Sequence, residues 1–249
     1  MRLLVDFGNT RLKWALWNNG RREIGGIFVH RDTSLEAALT SNWSSLPAPQ
    51  SIHVASVVDD DSEDALRAVI EQHFDLPAEF VRSPQHALGV RNAYRDAHRL
   101  GVDRFLAMAA LHAASPRAQV LVSCGTALTL DALDADGAHL GGLIAPSPSV
   151  MRQALAAATA RVGETPGHLV AIADNTSDAV WSGTALAAVA LIERFHADVA
   201  TRLGQPVALV GDGGGIDEWM ALLPGIERGR DLVLRGLALW AERGETVRG

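Results

Sequence analysis

Between two apolar runs at the start of the chain lies Asp6-Phe7-Gly8-Asn9-Thr10-Arg11-Leu12-Lys13, and a similar apolar–turn–apolar pattern returns at Val122-Ser123-Cys124-Gly125-Thr126-Ala127-Leu128-Thr129. Gly125 follows Gly8 by 117 residues in a chain of 249. A spacing near half the chain excludes a short-period repeat array and suggests two similar lobes with a cleft between them. The first copy carries a carboxylate, a glycine turn, small polar groups and a lysine. Such a turn lets backbone N–H groups approach phosphates closely. Asn9 and Thr10 add side-chain donors, and Lys13 adds a point charge. Asp6, at the end of a buried strand, suits Mg²⁺, which prefers carboxylate and phosphate oxygens. Alone, the segment reads equally well as a plain hairpin turn. Its echo tips the reading towards a two-lobed phosphotransferase. The second copy keeps the turn and offers the Thr126 hydroxyl, but has Ser123 where the first has Asp6.

The surrounding pattern supplies the scaffold. Leu3–Phe7, Leu12–Trp17 and Ile24–Val29 read as strands, with Asn18-Asn19-Gly20 as a turn. Ser34 reads as the N-cap of a helix over Leu35–Thr40. Ile52–Val58 is a β-branched run, hence a buried strand, and Ala65–Phe74 a helix. Asp59, Asp60 and Asp61 precede that helix; they fit its positive N-terminus better than a metal cluster. Arg99–Ala114 reads as a helix. Val120–Val122, Leu128–Leu133 and Leu140–Ala145 read as strands, the last two joined by a hairpin at Asp136-Gly137. Helices are expected over Ser149–Ala160 and from Asn175-Thr176 to about Ala200. A strand over Val207–Val210 runs into the glycine-rich turn Gly211–Gly215, and helices over Ile216–Leu223 and Leu232–Arg243 close the chain. The scheme restarts near Ser115-Pro116, which divides the chain into lobes at 1–115 and 116–249.

Composition narrows the function classes. The chain is 48% apolar, ample for a buried core. A net charge of −7 argues against a nucleic-acid or anionic-membrane surface. No stretch approaches the ~20 apolar residues of a membrane span, and Asp6 and Gly8 interrupt any signal-peptide core. A cytoplasmic location is expected, and the single cysteine, Cys124, excludes an internal disulfide. The chain lacks the Gly-x4-Gly-Lys-Ser/Thr loop, the Gly-x-Gly-x-x-Gly fingerprint and the Gly-x-Ser-x-Gly elbow. Gly101-Val102-Asp103-Arg104, at the start of an alanine-rich helix, sets an acid beside an arginine. That pair can bind an anion and take a proton, or simply start a helix.

In order along the chain, these motifs resemble those of the type III pantothenate kinases, within the acetate/sugar kinase–Hsp70–actin superfamily. Asp6-x-Gly-Asn-Thr-x-x-Lys13 resembles the family's first phosphate motif. Gly101-x-Asp-Arg104 with Phe105 resembles its substrate motif, and Gly125-Thr-Ala-x-Thr-x-Asp131 its second phosphate motif. Gly141-Gly142-x-Ile144-x-Pro146 and Asn175-Thr176 with Gly183 resemble later landmarks.

The resemblance implies an α/β fold of two ribonuclease-H-like lobes, each a mixed sheet flanked by helices, with the active site in the cleft. It implies Mg-ATP as phosphoryl donor, pantothenate as acceptor and a homodimer. Asp6 would organise Mg²⁺, directly or through water. Asp6, Gly8, Asn9, Thr10, Lys13 and Thr126 would bind ATP, and Asp103 would be the catalytic base. Tyr94, Gly101, Val102, Asp103, Arg104 and Thr176 would line the pantothenate pocket. Many members carry an aspartate at the position of Ser123, where it helps bind an activating K⁺ or NH4⁺; a serine hydroxyl is a weaker cation ligand. The alternatives on the same fold are a non-catalytic regulator of the transcription-accessory type and a kinase for another small alcohol.

Overall fold

Leu3, Val5 and Phe7 face one side of the first strand, and Leu4 faces the other; all four are buried. A strand apolar on both faces belongs in the middle of a sheet covered on both sides. The computed structural model, which describes residues 1–30, 35–159 and 165–243, places it there. Strand β1 (Arg2–Phe7) pairs antiparallel with β2 (Arg11–Asn18), which pairs with β3 (Arg21–Val29). Asn19 and Gly20 join β2 to β3 with φ of 48° and 75°. Two successive positive φ values suit the twist of a tight hairpin and explain the Asn-Gly pair.

Helix α1 (Leu35–Trp43) leads to β4 (Ser51–Ser56), which runs parallel to β1. The proposed N-cap Ser34 lies outside the described residues. Helix α2 (Asp60–Phe74) follows, then β5 (Ala78–Val81), parallel to β4. The sheet order is β3-β2-β1-β4-β5. The Asp59 carboxylate accepts a hydrogen bond from the Ser62 N–H at 2.9 Å and caps α2, so the aspartate run is a helix start. Leu39 and Trp43 of α1 and Leu66 and Ile70 of α2 join Leu3, Val5, Phe7, Leu12 and Trp14 in one core.

A short ribbon, β6 (His86–Ala87) and β7 (Val90–Arg91), precedes helix α3 (Val102–Ala114). The helix expected from Arg99 therefore begins three residues later. Ala97–Arg99 make one 3-10 turn, and Leu100 and Gly101 have extended ψ of 126° and 130° before the helix starts.

The second unit repeats the first in topology. Strand β8 (Gln119–Cys124) pairs antiparallel with β9 (Ala127–Leu133), and β9 with β10 (His139–Pro146). Helices α4 (Pro148–Ala158) and α5 (Thr176–Leu203) come next. Then β11 (Ala208–Asp212) runs parallel to β8, and β12 (Glu227–Arg228) parallel to β11. The order β10-β9-β8-β11-β12 matches that of the first sheet strand for strand. Ser147 caps α4, so this helix begins at Pro148, one residue before the expected Ser149; Ala160, its expected end, lies outside the described residues.

The helix expected over Ile216–Leu223 is absent. That stretch forms single 3-10 turns at Gly214–Ile216 and Met220–Leu222. It is confined between Gly213 and Gly225, both at positive φ. A segment this short gains little from helix propagation, and the tighter turns seat Ile216, Trp219 and Leu223 in the second unit's core.

The closing helix, α6 (Leu232–Arg243), packs on α3, β1 and β4. The chain thus divides into Met1–Ser115 with the segment from Leu232, and Pro116–Asp231. The expected lobe of 116–249 is corrected accordingly. The cause is apolar complementarity: α6 buries Leu234, Leu237, Ala238 and Trp240, while α3 is apolar on nearly every side. The Trp240 indole also donates to Glu79 Oε1 at 2.9 Å. Helices α3 and α6 approach so closely that a Cβ on Gly236 would overlap the Leu106 carbonyl oxygen. Gly236→Ala is therefore expected to destabilise the protein by about 1–3 kcal/mol despite the better helix propensity of alanine. Thermal unfolding checks this; a variant as stable as the parent would show that the helices can separate without cost.

Candidate active site

The first expected phosphate turn joins β1 to β2. Asp6 and Lys13 are register partners across these antiparallel strands, so their side chains share one face. Lys13 Nζ lies 4.0 Å from Asp6 Oδ2. The turn is closed by the Gly8 N–H donating to the Arg11 carbonyl at 3.1 Å. His30 tethers it further, with its Nε2 2.7 Å from the Gly8 oxygen. Asn9 donates from Nδ2 to the Val57 carbonyl at 3.3 Å, which ties the turn to the end of β4. Thr10 accepts from the His30 N–H through its carbonyl at 3.3 Å. Asp6, Gly8, Asn9, Thr10 and Lys13 thus occupy one end of one sheet, with a carboxylate and an ammonium group close together.

A second cluster gathers at the N-terminus of α3. Arg104 is buried, and its Nη1 donates to the Tyr94 hydroxyl at 3.2 Å. The guanidinium carbon lies 5.9 Å from the Tyr94 ring centre. Tyr94 is held in turn by Asn92, whose Oδ1 accepts from the Tyr94 N–H at 2.9 Å. Asn92 also donates to the Ala97 carbonyl at 3.0 Å and to that of Pro84 at 3.3 Å. Nothing periodic around Asn92 marks this role; it is visible only once the loop closes.

Asp103 sits in the first turn of α3, where the helix dipole favours a carboxylate. Its Oδ1 accepts from the Arg104 N–H at 2.8 Å. A Cβ on Gly101 would lie 2.6 Å from that same oxygen. The glycine therefore leaves room for the carboxylate, and the adjacent Val102 is buried.

In the second unit, Gly125 and Thr126 form the exposed turn between β8 and β9. The Gly125 N–H donates to the Ala127 carbonyl at 2.9 Å, and the Thr126 carbonyl accepts from the Ser147 N–H at 3.4 Å. That second bond joins the turn to the capping residue of α4. Thr176, the first residue of α5, lines a groove of about 1090 Å³ between α4 and α5. Its lining is mostly apolar, with Val150, Met151 and Leu155 on one side and Asp174, Asn175 and Thr176 at the polar end.

Cys124 lies beside this turn in the core. Burial pushes its thiol up to about 11, so it carries almost no thiolate near neutral pH and is not a nucleophile. Arg152, a residue without a sequence signal, stacks 3.9 Å over the Trp181 ring and pairs with Glu218 at 3.1 Å. Asp131, last residue of the stretch expected to form the second phosphate motif, is fully buried on β9, with Oδ1 3.0 Å from His139 Nε2 on β10.

The sequence profile of the type III pantothenate kinases matches residues 2–198. A type III pantothenate kinase of Xanthomonas campestris pv. campestris strain B100 is 43% identical over 239 residues, covering 96% of each chain. That of Xanthomonas euvesicatoria pv. vesicatoria is 40% identical over the same length and coverage. Among solved structures, a Campylobacter jejuni protein described as a Baf family transcriptional activator superposes with a TM-score of 0.63 at 18% identity, covering 97% of this chain and 98% of the other. A Sinorhizobium meliloti protein described as a 2-dehydro-3-deoxygalactonokinase gives 0.63 at 15% identity, covering 99% and 100%. At such identities the solved structures speak for the fold alone, which is the one expected, an α/β fold with two mixed sheets flanked by helices. Profile, coverage and identity together place this chain in the type III pantothenate kinase family.

Proposed function

We propose that the protein transfers the γ-phosphoryl group of Mg-ATP to the primary hydroxyl of pantothenate, giving 4'-phosphopantothenate and ADP, the first step of coenzyme A synthesis. The observation that carries the reading is the Asp6–Lys13 register pair at the β1–β2 turn, in a chain of this family. An oxygen donor at a strand end beside an ammonium fits a magnesium-bound polyphosphate. Asp6 would hold Mg²⁺, directly or through water, and the ion would neutralise charge on the transferring phosphoryl group. Gly8, Asn9, Thr10, Lys13 and Thr126 would bind and orient the phosphates.

Asp103 would accept the proton of the attacking hydroxyl. Tyr94, Gly101, Val102, Arg104 and Thr176 would position pantothenate, whose carboxylate suits the buried Arg104 guanidinium. Phosphoryl transfer depends chiefly on alignment and charge stabilisation, and these residues supply both. The same reading includes a K⁺ or NH4⁺ requirement, with Ser123 offering a hydroxyl oxygen. It also includes a cytoplasmic homodimer, supported by the apolar α4–α5 groove and exposed Leu155 and Leu186. Among the described residues no helix is long and apolar enough to cross a membrane.

The test is ATP consumption dependent on pantothenate, run with Mg²⁺ in K⁺, NH4⁺ and Na⁺ buffers. Pantothenate-dependent ADP release is the expected result. Binding of ATP or pantothenate without turnover in any buffer would select the regulatory reading. Turnover only with another alcohol would reassign the acceptor.

A further inference from the structure

Asn92 is the one buried residue between Arg91 and Arg99, and it is polar. Apolar packing therefore does not hold this stretch, and hydrogen bonds must. The Asn92 side-chain amide is used on both sides. Its Nδ2 donates to the Pro84 carbonyl at 3.3 Å and to the Ala97 carbonyl at 3.0 Å, and its Oδ1 accepts from the Tyr94 N–H at 2.9 Å. Two carbonyls need the donor end and one N–H needs the oxygen, so the partners fix the amide's orientation. The main chain adds two bonds. The Asn92 N–H donates to the Gln85 carbonyl at 2.9 Å, and the Asn92 carbonyl accepts from Gln85 Nε2 at 2.8 Å. At the far end of the loop the buried Ser83 hydroxyl donates to the Leu100 carbonyl at 2.7 Å, just before Gly101.

One residue thus joins Pro84, Tyr94 and Ala97, three points of the chain that meet only when the loop closes. No other side chain satisfies this set. Aspartate cannot donate, serine has a single donor, and glutamine carries its amide one carbon too far. What the amide holds is the peptide of Tyr94, and Tyr94 in turn touches Arg104. The Tyr94 hydroxyl accepts from Arg104 Nη1 at 3.2 Å, and the ring centre lies 5.9 Å from the guanidinium carbon. A guanidinium recognises a carboxylate through a planar fork, so its orientation decides whether the pairing forms.

We infer that Asn92 is a positioning residue that acts through Tyr94 to orient the Arg104 guanidinium for the acceptor's carboxylate. It sets acceptor affinity and the preference for a carboxylate-bearing acceptor, without touching the acceptor or the phosphates. This rests on the pantothenate reading of the site; the hold of Asn92 on Tyr94 does not. The inference separates two kinds of loss. General loosening of the loop would weaken every acceptor alike. Misorientation of Arg104 weakens only acceptors that carry a carboxylate. A displacement on the order of 1 Å at a positioning group can cost about 10²-fold.

Tyr94 is the single tyrosine of the chain, so ¹⁵N-tyrosine labelling of the full chain gives one amide resonance that reports on this contact. In Asn92→Ala that amide should exchange with solvent at least about tenfold faster, since it loses its acceptor. KM for pantothenate should rise roughly 10–100-fold, with KM for ATP unchanged. Affinity for pantothenol, the neutral alcohol in place of the carboxylate, should change little. On a Tyr94→Phe background, which removes the hydroxyl that Arg104 reaches, Asn92→Ala should cost much less than in the parent, because the two act in series. Should Asn92→Ala fold poorly, the isosteric Asn92→Asp answers: it cannot donate to Pro84 and Ala97, and it should raise KM for pantothenate alone. An unchanged Tyr94 amide, equal losses for pantothenate and pantothenol, a parallel rise in KM for ATP, or additive effects with Tyr94→Phe would each overturn the inference. If pantothenate neither turns over nor shifts the Tyr94 resonance of the parent, the acceptor reading fails, and amide exchange in Asn92→Ala still decides whether Asn92 holds Tyr94.

Discussion

Asp103→Asn is expected to lower kcat by about 10²–10⁴-fold, the usual loss when a general base is removed from the transition state. The substitution isolates proton acceptance from structure. Asparagine keeps the shape and the oxygen that receives the Arg104 N–H at 2.8 Å, so the first turn of α3 stays capped from within. What disappears is the negative charge. Its contribution at a helix N-terminus is about 0.3–1 kcal/mol of stability, too little to unfold the chain. The prediction is therefore a large fall in kcat with KM for ATP little changed and Tm within a few degrees of the parent. A fall below tenfold would move the base elsewhere and leave Asp103 as a helix-starting acid.

Asp6→Asn is expected to cost on the order of 10³-fold in kcat/KM for Mg-ATP, since a metal's charge stabilisation is worth several kcal/mol and each 1.36 kcal/mol is tenfold. Here too the fold should survive. The contact with Lys13 is long, 4.0 Å, and the hairpin is held by the β1–β2 ladder through six register pairs, not by this contact alone. Loss of activity with an unchanged Tm would thus report on the metal and not on the hairpin. Raising Mg²⁺ tenfold should recover little, because the neutral amide cannot replace the carboxylate's charge. Activity within tenfold of the parent across the Mg²⁺ range would remove Asp6 from the metal site and return the β1–β2 turn to a plain hairpin.

The elements most legible in the sequence are those whose cause is local. The apolar alternation of Leu3–Phe7 and the Asn19-Gly20 pair act within a few residues, and the structure forms β1, β2 and their neighbour β3 accordingly. The aspartates at 59–61 were legible as a helix start for the same reason, since capping is a matter of three residues. The echo between the two turns also proved more than a resemblance of letters: both sheets have the same strand order. Sequence reading failed where local preference met a tertiary constraint. Ile216–Leu223 has helical spacing, but two positive-φ glycines confine it and the core accepts only short turns. The last helix lies within the chain's second half yet belongs to the first unit, because α3 offers it an apolar, glycine-matched surface.

The candidate site divides in the same way. The residue types of Asp6–Lys13 and Gly101–Arg104 are contiguous, so the sequence by itself determined which chemical groups stand at each turn, and that the second turn has no carboxylate of its own. Only the tertiary structure decided what stands beside them. Asn92 beneath Tyr94 depends on a loop closing on itself. Asp212 beside Ser123 depends on two distant strands pairing in one particular register. A one-residue slip of β11 would turn Asp212 to the opposite face. That register is set by the apolar packing of Leu209 against its neighbours in the core, a property of the whole sheet that no short window of sequence contains.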